Sequence, residues 1–214
     1  MKIIVILLTF IIALITSLFA QEGESYLQTA YDAIQSKDYP VAVENYTKAI
    51  EQQPNFADSY YGRGLARTYM EEFQPAADDF TQAIKINPAY HEAYYSRGLC
   101  HINLGNYYFG VNDFKKSIEI MPSNGKYYYA LANAFYYLEQ DEQALNNYTK
   151  AIETDPNLGL AYYGRAVMHK LANRYDAALA DFEKYIQLNG NNDGLASEVE
   201  RLMNEIRQDQ LDNE

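Results

Sequence analysis

The sequence predicts an all-α solenoid of five antiparallel helix pairs closed by one further helix. Three observations carry that reading. Pro54, Pro88, Pro122 and Pro156 lie 34 residues apart. Aromatic and small residues recur at fixed offsets between them. Turn signals such as Leu104-Gly105-Asn106 divide each interval into two segments with helical spacing.

The prolines set a frame of five repeats, 23–56, 57–90, 91–124, 125–158 and 159–192. Position 4 of each is Tyr26, Tyr60, Tyr94, Tyr128 and Tyr162, and position 24 is Tyr46, Phe80, Phe114, Tyr148 and Phe182. Position 8 is Ala30, Gly64, Gly98, Ala132 and Ala166, and position 20 is Ala42, Ala76, Gly110, Ala144 and Ala178. Small residues at these places let helices approach, and large ones fill the space between. The frame prolines stop each second helix. Pro40 and Pro75 instead fall in the first turn of a second helix, where the missing N–H has no intrahelical partner to lose. After Gly190 the run Asn191-Asn192-Asp193 can cap a last helix over 193–210, with Leu195, Val199, Leu202 and Ile206 on one face.

Residues 1–20 stand apart from the repeats. Lys2 precedes a nearly continuous apolar run from Ile3 to Leu18, and Phe19-Ala20 leads into a polar stretch. That order predicts an export signal cleaved after Ala20, or a retained membrane anchor, since the run approaches spanning length. Either outcome places the remainder outside the cytoplasm, periplasmic or secreted, with membrane contact only through this segment.

The chain of 214 residues is 48% hydrophobic and 21% charged, contains 22 tyrosines and carries a formal charge of −12. So many aromatics belong to a folded protein. The acidic balance argues against nucleic acid as partner, because phosphates need a basic surface. Cys100 is the only cysteine, which excludes an internal disulfide, and its repeat position is that of Ala66, Ala134 and Met168, a buried apolar site.

Catalytic chemistry is sparse. Gly62-Arg63-Gly64 has two glycines of a dinucleotide fingerprint but lies within a helix rather than after a strand. His91, His101 and His169 form no pair at metal-ligand spacing, so no metal, cofactor or enzymatic activity is expected. The triplet Asn-Tyr-Thr at Asn45 and Asn147 fits a glycosylation acceptor but falls in a second helix.

The pattern as a whole resembles the tetratricopeptide repeat (TPR). The resemblance covers about four-fifths of the chain and implies a right-handed superhelix whose concave groove holds a ligand. Asp141 replaces the aromatic found at position 17 as Tyr39, Phe73, Tyr107 and Tyr175, and Gly190 replaces the last proline.

Two constellations follow. Arg63, Arg97 and Arg165 at position 7 accompany Asp79, Asp113 and Asp181 at position 23, whereas the other two repeats carry Thr29 with Asn45 and Leu131 with Asn147. Positions 7 and 23 face each other across an antiparallel pair, so each arginine is expected to neutralise an aspartate of its own repeat. The second constellation is aromatic. Position 5 is Tyr61, Tyr95, Tyr129 and Tyr163, and Tyr31, Tyr136 and Tyr137 at positions 9, 12 and 13 extend the stripe on the side opposite positions 4, 8 and 11. In the family that side lines the groove. Position 6, occupied by Gly62, Ser96, Ala130 and Gly164, should leave open floor between these rings, and the position 4 tyrosines should be core.

These residues predict an adaptor that binds a protein or peptide through a tyrosine-lined groove. A structural subunit of a cell-envelope assembly and a polysaccharide-recognition module are the alternatives. Relatives that grip the carboxy-terminal carboxylate of chaperones use lysine, asparagine and arginine at positions 2, 5, 6 and 9. Here the first three-repeat window offers Leu27, Tyr31, Gly62, Glu92 and Ser96, and the other two fail likewise.

Overall fold

The structure is a computed structural model that describes residues 22–190 and 194–212. The leader expected over 1–20 and the capping run at 191–193 lie outside the described residues. Among the described residues there are eleven helices and no strand. Helix α1 covers 22–35, α2 Tyr39–Gln52, α3 Ala57–Tyr69, α4 Phe73–Ile86 and α5 His91–Asn103. Then come α6 Tyr107–Ile120, α7 Gly125–Tyr137, α8 Asp141–Thr154, α9 Gly159–Leu171, α10 Tyr175–Asn189 and α11 Ala196–Asp212. The chain forms two compact lobes, the first ending at Leu104 and the second beginning at Gly105.

Within each lobe successive helices pack on one another, and so do the first helices of neighbouring repeats, α3 on α5 and α7 on α9. The aromatic at position 24 is the centre of each layer. Phe80, Phe114 and Phe182 are fully buried, and Tyr46 and Tyr148 nearly so. Alanines surround them at no exposed area, among them Ala30, Ala42, Ala76, Ala132, Ala144, Ala166 and Ala178. Gly64 shows why the residue must be small, since a Cβ there would stand 2.7 Å from the Phe80 ring.

The turn inside each repeat has one geometry. Position 15 is left-handed in all five repeats, as Lys37, Glu71, Gly105, Glu139 and Asn173, with φ between 55° and 75°. In four of these repeats the following residue closes the turn by donating its N–H to the carbonyl five places back. Glu72 reaches Arg67 at 2.9 Å, Gln140 reaches Phe135 at 2.9 Å and Arg174 reaches His169 at 2.9 Å. This is the αL helix ending that glycine fits best. Only the third repeat supplies glycine, so the other four repeats accept backbone strain there.

Helix α11 closes the second lobe. Val199, Met203 and Ile206 are buried against Phe182 and Tyr185 of α10, with Leu195 and Leu202 flanking them. Met203, not Leu202, is the central contact of this face, because it lies one helical turn beyond Val199. Pro40 stands at the second residue of α2 and Pro75 at the third of α4, each within the first turn.

Relief of the left-handed turns should raise stability. Glu71→Gly and Glu139→Gly are each expected to stabilise by about 1 kcal/mol, and Gly105→Ala to destabilise by about as much. Urea unfolding of the three variants measures this. Loss of stability in both glutamate variants would contradict the strain.

Candidate functional site

Two faces of the first helices carry polar chemistry, and they do different work. On one face sits the arginine. Arg165 embraces Asp181 with two bonds, Nε to Oδ2 at 2.7 Å and Nη2 to Oδ1 at 2.8 Å. Arg63 grips Asp79 in the same way, with Nη2 to Oδ1 at 2.7 Å, and Arg67 adds a bond from Nη1 to Oδ2 at 2.8 Å. Asp79 and Asp181 are buried, so a forked, fixed cation is the partner they require. Pairing with Asp181 raises the Arg165 guanidinium pKa further, which keeps that cation charged. Arg97 and Asp113 belong to different lobes. Arg97 lies in α5 and Asp113 is buried in α6.

Each arginine also touches the preceding repeat. Arg63 Nη1 donates to Thr47 Oγ1 at 3.1 Å, Arg97 to Thr81 at 3.0 Å and Arg165 to Thr149 at 3.4 Å. The threonine hydroxyl hydrogens are committed to carbonyls one turn back, those of Val43, Ala77 and Leu145, so lone pairs face the guanidinium. Below it lies the first tyrosine of the pair. Arg63 sits 5.8 Å from the Tyr60 ring centre, Arg97 5.6 Å from Tyr94 and Arg165 5.8 Å from Tyr162. The position 4 rings are therefore half-buried platforms rather than core. Tyr60 turns its hydroxyl to the Pro54 carbonyl at 3.2 Å.

The second tyrosine lies on the other face. Tyr61 tilts onto Phe80 and Tyr90, Tyr129 onto Tyr148, and Tyr163 onto Phe182 and Tyr185, with ring centres 4.9 to 6.0 Å apart. Tyr61, Tyr95, Tyr129 and Tyr163 are all half-buried. One side of the Tyr61, Tyr129 and Tyr163 rings thus packs on neighbouring aromatic rings, and burial lifts the phenol pKa of Tyr61 and Tyr163 above its usual value.

Position 6 is small for a different reason than open floor. A Cβ at Gly62 would come within 2.3 Å of the Tyr46 ring, and one at Gly164 within 2.4 Å of the Tyr148 ring. The position 24 aromatic of the preceding repeat occupies that space. Tyrosine at 24 is followed by glycine, as Tyr46 by Gly62 and Tyr148 by Gly164, whereas Phe80 is followed by Ser96 and Phe114 by Ala130. At both glycines the nearest atoms are carbons of the tyrosine ring, which take the room of the missing Cβ.

The second lobe contains a cavity of about 260 Å³ between α7, α8 and α9, walled by Tyr129, Tyr136, Tyr137, Tyr148 and Tyr163. Asn133 shares the wall and accepts the Tyr148 hydroxyl at 2.6 Å. Four of the seven predicted groove tyrosines meet here. Tyr137 also stacks on Tyr107, at 5.1 Å, so it belongs partly to the helix junction. Tyr31 lines a separate cavity of about 400 Å³ in the first lobe, with Glu24, Tyr46, Phe56 and Asp58. Tyr61 and Tyr95 line neither.

Family models for the tetratricopeptide repeat match residues 33–68, 57–90, 91–124 and 129–193. The chain carries tetratricopeptide repeats. No curated protein matches it in sequence. Among solved structures, MamA of Desulfovibrio magneticus RS-1 is 19% identical, with TM-score 0.74 over 80% of this chain and 97% of that one. YrrB, described as a TPR protein with an unusual peptide-binding site, is 20% identical, with TM-score 0.67 over 82% and 90%. Pseudomonas aeruginosa pilF is 14% identical, with TM-score 0.73 over 88% and 90%. Likeness at these identities shows the fold, an all-α solenoid.

Within the TPR frame, two contact positions escape inspection of single repeats. The threonine partners stand at position 25 as Thr47, Thr81 and Thr149, and Lys115 takes that place before the repeat whose position 7 is Leu131. Position 11 is Arg67, His101 and His169 in the repeats with aspartate at 23, but Ala33 and Phe135 in those with asparagine. His169 Nε2 stands 3.9 Å from Asp181, and burial lowers its pKa despite that carboxylate. Comparing neighbouring repeats by co-occurrence would have found both. The sequon asparagines are helical, with the amides of Asn45 and Asn147 donating to Val41 at 2.9 Å and Gln143 at 2.8 Å.

The arginine network predicts a graded response in the last TPR. Arg165→Leu should destabilise by about 3 kcal/mol, because it strands a buried carboxylate. Adding Asp181→Asn should recover more than half of that. Thr149→Val should cost about 1 kcal/mol alone and nothing once Arg165 is gone. A double-mutant cycle in urea checks both couplings, and additive losses would refute the network.

Proposed function

We propose that this chain is an exported TPR adaptor, which holds a protein or peptide segment against the tyrosines on the face of the first helices opposite the arginines. The observation that carries the reading is the convergence of Tyr129, Tyr136, Tyr137 and Tyr163 on one cavity. Tyrosine suits that role, since its ring offers wide contact area at little entropic cost and its hydroxyl can bond a peptide. The peptide-binding site named for the fold neighbour YrrB gives the reading support. Export rests on the sequence of residues 1–20 alone. No described helix is long and apolar enough to cross a membrane.

Tyr136 separates binding from folding, because it is 41% exposed and walls the cavity. Tyr136→Ala should leave the melting temperature nearly unchanged and weaken capture of a partner from the native cell envelope about tenfold. Tyr148→Ala, by contrast, should destabilise by about 3 kcal/mol, since it empties a buried site. Capture that survives Tyr136→Ala unchanged would move the interaction off this face and leave the adaptor reading without its site.

A further inference from the structure

The chemistry of the ligand can be read from what the two cavities lack. The second-lobe cavity has five tyrosine rings, Asn133 and no charged residue in its lining. The first-lobe cavity sets the carboxylates Glu24 and Asp58 against the rings of Tyr31, Tyr46 and Phe56, again with no lysine, arginine or histidine. An anionic ligand would meet repulsion in the first and no cation in either. A neutral apolar one would leave the Glu24 carboxylate unused and that of Asp58 engaged only by the Tyr90 hydroxyl.

The chain itself shows what its tyrosine faces accept. Lys48 lies over Tyr26 at 5.6 Å, and Arg63, Arg97 and Arg165 lie over Tyr60, Tyr94 and Tyr162. The negative face of an aromatic ring attracts such cations electrostatically. No cation of the described residues stands over Tyr129, Tyr136, Tyr137 or Tyr163. Three bases of the second lobe are already engaged, Arg165 with Asp181, Lys170 with Glu205 at 3.0 Å and Arg201 with Glu198 at 2.6 Å. The formal charge of −12 adds attraction at longer range.

We infer that the ligand is a basic peptide, and that the tyrosine cavity of α7, α8 and α9 and the acidic cavity of α1, α2 and α3 each accept an arginine or lysine side chain. The inference rests on the adaptor reading above and narrows it to one partner chemistry. Rings in the tyrosine cavity supply π faces to the cation, and its hydroxyls and Asn133 can bond the peptide backbone. In the acidic cavity the carboxylates neutralise the charge while Tyr31 and Phe56 cover the aliphatic stem.

Fluorescence anisotropy with the full chain decides the matter, using labelled synthetic peptides of equal length. The first is an Arg-Gly-Tyr repeat, and three others replace its arginine by lysine, glutamate or proline. The arginine and lysine peptides should bind and the glutamate peptide should not. Tyr136→Ala should weaken the arginine peptide about tenfold, and Tyr136→Phe, which keeps the π face, should retain most of the affinity. Glu24→Gln with Asp58→Asn should weaken it about threefold and flatten its salt dependence. If the proline peptide binds best and is lost in Tyr136→Ala, the basic ligand is wrong and the tyrosine site stands. Should the arginine peptide bind equally to wild type and all variants, or no peptide bind, both the site and its ligand class are refuted.

Discussion

A buried aspartate at position 23 is the constraint around which each well-formed repeat is arranged. Removing a carboxylate from water costs several kcal/mol unless a cation with fixed geometry meets it. Arg63 and Arg165 meet Asp79 and Asp181 with forks, and each fork has one nitrogen left over for a threonine of the preceding repeat. The same group that neutralises one helix pair therefore pins it to its neighbour. That contact fixes how α3 sits on α2 and how α9 sits on α8. Because the helix repeat separates position 5 from positions 4 and 7, the second tyrosine is left on another side of the helix.

Division of labour between the two tyrosines of each pair follows. The first spends its face on an arginine, and the second spends one edge on the core aromatic at position 24. Tyr129 and Tyr163 consequently hold the fold and wall the cavity at once, whereas Tyr136 adds to the wall from a more exposed place. A binding surface built this way is preorganised, because its rings are already held by packing.

Much of this was legible because repetition amplifies weak signals. Four prolines in register, alanine or glycine at positions 8 and 20 and an aromatic at 24 specify helix pairs more firmly than any one segment could. The arginine and aspartate were visible because they vary together inside a repeat. Contacts between repeats were not. The threonine at 25, the ring that fills the space above Gly62 and the arginine above Tyr94 all involve a neighbour, or a side chain leaning along the helix, which position counting in one repeat ignores. Left-handed turns at Lys37, Glu71, Glu139 and Asn173 gave no glycine signal, since tertiary packing holds them there.

Hydrogen exchange with and without the arginine peptide tests most directly whether one face of the first helices binds while the other only supports. The account predicts slowed exchange in α7, α8 and α9 around Tyr129, Tyr136, Tyr148 and Tyr163, with the amides near Asp181 on α10 unchanged. Protection confined to α8 and α10, with α7 and α9 unaffected, would contradict it.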